Sequence, residues 1–165
     1  MKKIQLGGHK RGSQIRGYAL VDDDVFDRLK RYKWSIDKAG YAIRQWGTHF
    51  RVRRILMARE ILGILEKKDL FTDHINGDRL DNRCENLRIA TRLENNRNQT
   101  ILRKNNSTGF KGVYLDKRRK KFEAYVTINK KHKCLGYFKT PKEAANVYNK
   151  AAERFYGNFA CLNKI

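Results

Sequence analysis

Residues 71–98 read FTDHINGDRLDNRCENLRIATRLENNRN, and the reading of this stretch decides what kind of fold and what kind of chemistry the chain is expected to have. A short extended segment at the Phe71 end leads into a polar loop over Asn76–Glu85, then a second strand at Leu87–Ala90. Thr91-Arg92-Leu93-Glu94 makes a capping box that opens a helix. Asp73 and His74 are neighbours on an extended segment, so their side chains point to opposite sides. His74 can therefore face a water as general base while Asp73 faces a cation, and hydrolysis of a phosphodiester needs both. Asn95 lies in the first turns of the helix, placed to reach back toward Asp73. Carboxylate and amide oxygens converging from two elements suit a hard divalent cation, Mg²⁺ or Mn²⁺. Asn96 is adjacent to Asn95, and a one-residue shift on a helix turns the side chain by about 100°.

The rest of the chain bounds the partners of this segment. Its 165 residues carry 38 Lys and Arg against 17 Asp and Glu, a formal net charge of +21. Such an excess repels itself unless a polyanion lies alongside, and it is spread through the chain instead of gathered in tails, which points to folded surfaces facing phosphates. Nucleic acid is the expected partner. A lipid-binding chain would show a basic amphipathic helix with a clean apolar face, and none is found. No apolar run approaches the ~20 residues that span a bilayer, and the opening MKKIQLGGHKRG lacks the apolar core of a signal peptide, so no membrane partner is expected. Cys84, Cys134 and Cys161 are odd in number and far apart, with no CxxC pair for a disulfide framework or zinc knuckle. The chain reads as intracellular and reduced.

Upstream of the central segment, Tyr18–Val21 and Lys33–Asp37 read as strands, with an Asp-rich helix start at Asp22–Asp24 between them. A turn at Lys38-Ala39-Gly40 leads from Lys33–Asp37 into a strand at Tyr41–Trp46, and Trp34 and Trp46 are expected in the core. Over Arg53–Leu62 the apolar residues Ile55, Leu56, Ile61 and Leu62 recur at helical spacing, with Gly63 as C-cap. Downstream, Gln99–Thr108 carries turn formers and reads as a linker. Strand signals follow at Lys121–Asn129 and Cys134–Phe138. The last helix is capped by Thr140, has Pro141 at its first position and Glu143 to complete a capping box, and stops at Gly157. Its apolar stripe is Ala144, Ala145, Val147, Tyr148, Ala151, Ala152 and Phe155.

The DHINGD, LDNR, ENLR and NNRN elements resemble the ββα-metal motif of HNH endonucleases, in the phage and intron-encoded variant whose final His is Asn. The resemblance implies His74 as general base and Asn86 as the middle motif residue that holds the loop and orients the histidine. It implies Asp73 and Asn95 as ligands of one divalent cation, with no small-molecule cofactor. Taken singly, each of these residues has an ordinary reading as a strand-end, turn or cap residue. Arg79, Arg88, Arg92 and Arg97 are candidate phosphate contacts that the sequence does not rank.

The stretch from Ser107 to Asn163, with its FKGV, LGYFKT, EAA and FACLN elements, resembles the Apetala-two or ethylene-response-factor DNA-binding domain, which lays a three-stranded sheet on the major groove. Phe122, Ala124, Val126 and Ile128 fall on one strand face and would pack on the helix. By position in that family's pattern Lys111, Tyr114, Tyr125, Thr127, His132 and Cys134 would face DNA, while Lys117, Arg118 and Arg119 lie in a basic turn suited to phosphates. Tyr, Thr and Cys stand where the plant domains place Arg and Trp, which implies less direct base discrimination. Tyr125 as strand packing and Cys134 as an inert thiol are the plain alternatives.

The expected architecture is α+β: a mixed N-terminal unit with a ββα-metal core (1–98, motif 71–98), a linker (99–107), then a three-stranded antiparallel sheet packed on one α-helix (108–165). The expected function is that of a metal-dependent endonuclease on double-stranded DNA, of the homing or nicking kind, acting as a monomer. If phage-encoded, it would work in the cytoplasm of a bacterial host. A catalytically inactive DNA-binding regulator built on the same scaffold, or an RNA-binding basic protein, are the alternatives.

Overall fold

In the computed structural model the described residues are 1–7, 14–47, 52–98, 102 and 106–165. Most of the expected linker lies outside them. The chain divides into two compact units, Met1–Asn95 and Asn96–Ile165. Both mix strands with a few helices, and among the described residues no helix is long and apolar enough to cross a membrane.

The first unit is built on β1 (Lys2–Gly7), β2 (Gly17–Val21), helix α1 (Asp23–Leu29), β3 (Trp34–Ile36), β4 (Ala42–Trp46), β5 (Arg53–Leu56) and helix α2 (Met57–Ile61). The five strands form one sheet in the order β2-β1-β3-β4-β5, antiparallel except for the β1–β3 pair. In β1 the side chains alternate, Ile4 and Leu6 inward and Lys3 and Gln5 outward, as a sheet with one covered face requires. Ile4, Leu6, Ala19, Val21, Leu29, Trp34, Ala42 and Met57 make the core. The buried Trp34 indole donates Nε1–H to the Leu29 carbonyl at 2.8 Å, so its one polar atom is satisfied. Arg44 and Glu60 are both buried and paired at 2.7 Å, with the Arg44 guanidinium 4.1 Å from the Tyr32 ring centroid.

Two expectations for this unit fail. Arg53–Leu62 is not one helix, because Arg53–Leu56 is drawn into the sheet opposite Ile43–Trp46 and only Met57–Ile61 coils. The strand partner is the preceding strand β4, and its hydrogen bonds override the local apolar spacing. Gly63, at φ +65°, does end the helical turn. Trp46 is 55% exposed and not core, since it sits opposite Arg53 at the far end of the β4–β5 pair.

The central segment supplies β6 (Phe71–His74), a loop closing in a 3-10 turn at Cys84–Asn86, β7 (Leu87–Ala90) and helix α3 (Arg92–Arg97). β6 and β7 pair antiparallel, with Asp73 opposite Arg88 and His74 opposite Leu87. The loop is held against the first sheet. Leu20 of β2 donates its N–H to Leu80 and accepts the N–H of Asn82, both at 2.8 Å. Asp22, at the N-cap position of α1, turns its carboxylate to the Cys84 N–H at 2.6 Å instead of to its own helix.

The second unit holds β8 (Val113–Asp116), β9 (Lys121–Ile128), β10 (Lys131–Phe138) and helix α4 (Pro141–Tyr156), the strands antiparallel in the order β10-β9-β8. β10 starts at Lys131, three residues before the expected Cys134, because Asn129 (φ 49°) and Lys130 (φ 63°) form a two-residue hairpin turn. Positive φ at both central positions matches the twist of the flanking strands, and Lys in the second place hides a turn that Asn-Gly would announce. The Thr140–Glu143 capping box and Pro141 open α4 as expected. Ala144, Ala145, Tyr148 and Ala152 of α4 pack on Val113, Ala124 and Val126, while Phe155 ends up 36% exposed beneath Lys133.

Gly112 marks the tightest contact in this unit. It has φ +70°, and a Cβ built there would lie 2.0 Å from the Tyr148 ring. Gly112→Ala combines a left-handed backbone cost of about 1–2 kcal/mol with an overpacking cost of about 1–3 kcal/mol. The expected result is a loss of about 3 kcal/mol, seen as a lower urea midpoint for the full chain. A midpoint equal to that of the parent would show that Tyr148 turns away without cost.

Candidate active site

The loop between β6 and β7 is short of apolar residues, so its shape must come from hydrogen bonds. Asn86, 5% exposed, supplies two of them: its Oδ1 accepts the Asn76 N–H at 3.0 Å and its Nδ2 donates to the Asp81 carbonyl at 2.8 Å. Its own carbonyl accepts the Ile75 N–H at 2.9 Å. Asp81, 3% exposed, takes Asn76 Nδ2 at 3.0 Å and the Arg83 guanidinium at 2.7–2.8 Å, and Arg83 holds its carboxyl below the usual carboxylate range. Gly77, at φ +79°, and the Asp78 side chain complete the first turn, the latter accepting the Leu80 N–H at 2.9 Å.

This frame fixes His74. The imidazole is 5% exposed, its Nε2 is 3.3 Å from Asn82 Oδ1, and its ring is tilted against Tyr41 with centroids 6.0 Å apart. Asn82 is itself 1% exposed and anchored through its backbone to β2. Burial pushes the His74 pKa below its ordinary value, more than the Asn82 hydrogen bond and the nearby Asp73, Asp78 and Asp81 charges raise it. The ring is therefore neutral at physiological pH, the form that can take up a proton. Tyr41 is set by the turn before it, where Asp37 Oδ1 accepts the N–H groups of Ala39 and Tyr41, both at 2.9 Å. Arg79 donates to the Ala39 carbonyl and lies 4.7 Å over the Tyr41 ring.

Asp73 faces the other side of β6. It is 5% exposed, and its Oδ2 receives Arg88 Nε at 2.7 Å and lies 2.6 Å from Arg88 Nη2. Asn95 is half-buried in α3 and Asn96 is exposed. The capping box that starts this helix is present, with the Thr91 N–H to Glu94 Oε2 at 2.8 Å and the Glu94 N–H to Thr91 Oγ1 at 3.3 Å. The described residues hold no cluster of three or more His, Cys, Asp or Glu for a metal. A carboxylate and an amide oxygen nonetheless fit Mg²⁺ or Mn²⁺, hard ions commonly bound through one or two carboxylates with substrate phosphate and water completing the shell.

In the second unit Tyr114, Tyr125, Thr127, His132 and Cys134 share the sheet face turned away from α4, by their registers opposite Glu123, Cys134 and one another. Tyr125 and His132 stack with centroids 4.0 Å apart and planes at 22°. Lys117, Arg118 and Arg119 are exposed in the β8–β9 turn, where Asp116 Oδ1 accepts the N–H groups of Arg118 and Arg119 at 2.9 and 3.1 Å. Arg119 also lies 4.5 Å over Tyr137, a residue of the same face that the sequence alone does not single out. Lys111 differs from expectation. Its ammonium donates to the Arg97 carbonyl, at 2.5 Å, and burial lowers its pKa, so it is engaged in the fold of its own unit.

Sequence reasoning also misses Asn82 as a site residue and Arg88 as the partner of Asp73. The signal for Asn82 is slight, one asparagine among several in a polar loop. For Arg88 it is the strand register, which sets it opposite Asp73 and can be counted only once both strand ends are known.

Two comparisons bear on this site. A model of the HNH endonuclease family matches residues 54–97, from β5 to the end of α3. An uncharacterized HNH endonuclease of Acanthamoeba polyphaga mimivirus is 31% identical over 148 residues, 90% of this chain and 75% of that protein. No solved structure matches the chain. The family match frames the loop that Asn86 and Asn82 shape around His74, and the viral relative extends the likeness across most of the sequence: the chain belongs to the HNH endonuclease family, whose substrate is nucleic acid.

Proposed function

We propose that the chain is a metal-dependent DNA endonuclease in which His74 is the general base. The observation that carries this reading is a buried imidazole held from behind by Asn82, and the same burial lowers its pKa toward the neutral form. In the tautomer that donates Nε2–H to Asn82 Oδ1, the basic lone pair lies on Nδ1, and a water deprotonated there attacks phosphorus. Asn82 is the positioning residue that selects this tautomer. Asn86 acts one step further back by holding the loop, since its side chain bridges Asn76 and Asp81. Asp73 and Asn95 would hold one Mg²⁺ or Mn²⁺, and the ion would supply positive charge for the phosphate and the departing 3′ oxygen.

The second unit grips double-stranded DNA through the face that carries Tyr114, Tyr125, Thr127 and His132, with Lys117, Arg118 and Arg119 on phosphates. Three antiparallel strands backed by one helix support the likeness to the Apetala-two domain, as does the stacked Tyr125–His132 pair. One site per chain makes the enzyme a nickase when monomeric, of the homing type that phage-like sources encode, and the viral relative agrees with such a source. One observation favours the other reading, a DNA-binding regulator without activity: Arg88 already occupies the Asp73 carboxylate.

Supercoiled plasmid separates the two. The enzyme converts it to open circles with Mg²⁺ or Mn²⁺ and not with EDTA, and His74→Ala lowers the rate about 10²-fold or more. A protein that binds the plasmid and leaves it supercoiled with either metal is the regulator. For the second unit, Tyr125→Ala with His132→Ala should weaken duplex binding about tenfold while sparing the nicking rate at saturating DNA. An unchanged dissociation constant in a fluorescence-anisotropy titration would remove that face from the interface.

A further inference from the structure

Asp73 and Arg88 are directly opposite in the β6–β7 pair, with both Nε and Nη2 of the guanidinium against Oδ2, at 2.7 and 2.6 Å. The side chains are 6% and 16% exposed, so water screens the pair poorly. The flanking pairs Phe71–Ala90 and His74–Leu87 fix the strand register without the ion pair. The chain thus balances the charge of a carboxylate that the reaction requires for a cation. A divalent ion and a guanidinium at one carboxylate oxygen repel each other, and in a poorly hydrated site that repulsion is large. The guanidinium fork has a second partner of the same geometry, the paired oxygens of a phosphate.

We propose that Arg88 is a resident counter-cation which makes metal binding conditional on DNA: it holds Asp73 Oδ2 in the free protein and passes to a nonbridging phosphate oxygen when the duplex arrives. This inference rests on the reading of Asp73 as a metal ligand. Before DNA arrives, Arg88 weakens the site for a divalent ion. Once a phosphate draws the guanidinium away, the same oxygen is open to the ion, and Arg88 then touches substrate. Metal and duplex consequently bind with positive coupling, and each raises the affinity of the other by the same factor. A purely architectural ion pair predicts the opposite sign for its loss, since deleting one partner would loosen the fold and leave the metal site worse formed.

The experiment is Mn²⁺ titration of the full chain, followed by electron paramagnetic resonance of the unbound ion, with and without a short duplex. All variants carry His74→Ala so that the duplex survives. Without DNA, Arg88→Gln is expected to bind Mn²⁺ about tenfold or more tightly than its parent. The duplex is expected to tighten Mn²⁺ binding about tenfold where Arg88 is present, and only about twofold in the Arg88→Gln variant. If Arg88→Gln binds Mn²⁺ no better than its parent while Asp73→Asn abolishes binding, the counter-cation role is wrong and Asp73 remains a ligand. If Asp73→Asn binds Mn²⁺ like its parent, the ligand assignment itself fails. Should circular dichroism show Arg88→Gln unfolded, the Arg88 Nε–H resonance of the folded parent decides. It must shift when Mg²⁺ and duplex are added together, and a resonance that stays in place overturns the proposal.

Discussion

Everything at the candidate site depends on the backbone pairing between Leu20 and the loop at residues 80–82. Leu20 lies in β2, an edge strand of the five-stranded sheet, and its outward backbone groups go one to Leu80 and one to Asn82, each at 2.8 Å. An edge strand is a liability unless something covers it. Here the cover is the loop of the candidate site, so the five-stranded sheet is protected by the segment that it holds in place. Asn82 is thereby fixed in the backbone, and its side-chain oxygen can be a stationary partner for His74 Nε2. Asp22 reaching Cys84 repeats the arrangement at the other end of the loop.

Such a loop is an unusual interior. Asp73, His74, Asp81, Asn82 and Asn86 are all buried within it or beside it, and an unsatisfied polar group there costs about 1–3 kcal/mol. Nearly every one has a named partner. The exception is Asn82 Nδ2, which is buried without a hydrogen-bond partner among the described residues. Natural structures keep few such groups, and this one belongs to the side chain that touches His74. The loop tolerates it because the neighbouring Asn86 and Asp81 bonds already determine its shape.

Much of this was legible in the sequence, and most of the failures share one cause. The order strand, loop, strand, helix over residues 71–98 and the capped helix α4 follow from local signals, namely turn formers, a capping box and apolar period. Most of what escaped reading was set by partners outside the segment being read. Residues 53–56 look helical and become β5 because β4 offers hydrogen bonds; Trp46 looks like core and lies exposed at the far end of that pairing. Lys111, which by the resemblance would face DNA, gives its ammonium to the Arg97 carbonyl of its own unit. At the site, His74 and Asp73 were visible from their spacing, whereas Asn82 and Arg88 gain their place only from the β2 edge and the β6–β7 register.

Those internal ion pairs also alter what the net charge of +21 means. Glu60, Asp73, Asp81 and Asp116 are buried or nearly so, and each is matched by an arginine of its own unit, Arg44, Arg88, Arg83 and Arg119. The four carboxylates are thereby withdrawn from the surface while Arg119 stays 60% exposed, so fewer acids are left there to dilute the excess. An approaching phosphate backbone therefore meets a more uniformly positive surface than the composition suggests, and steering of this kind raises association rates most at low salt. The same arrangement keeps an uncompensated carboxylate out of its path. At Asp73 these two requirements meet in the proposed reading, because an acid kept for a cation would repel the substrate if it stood unpaired, and the paired Arg88 removes that repulsion.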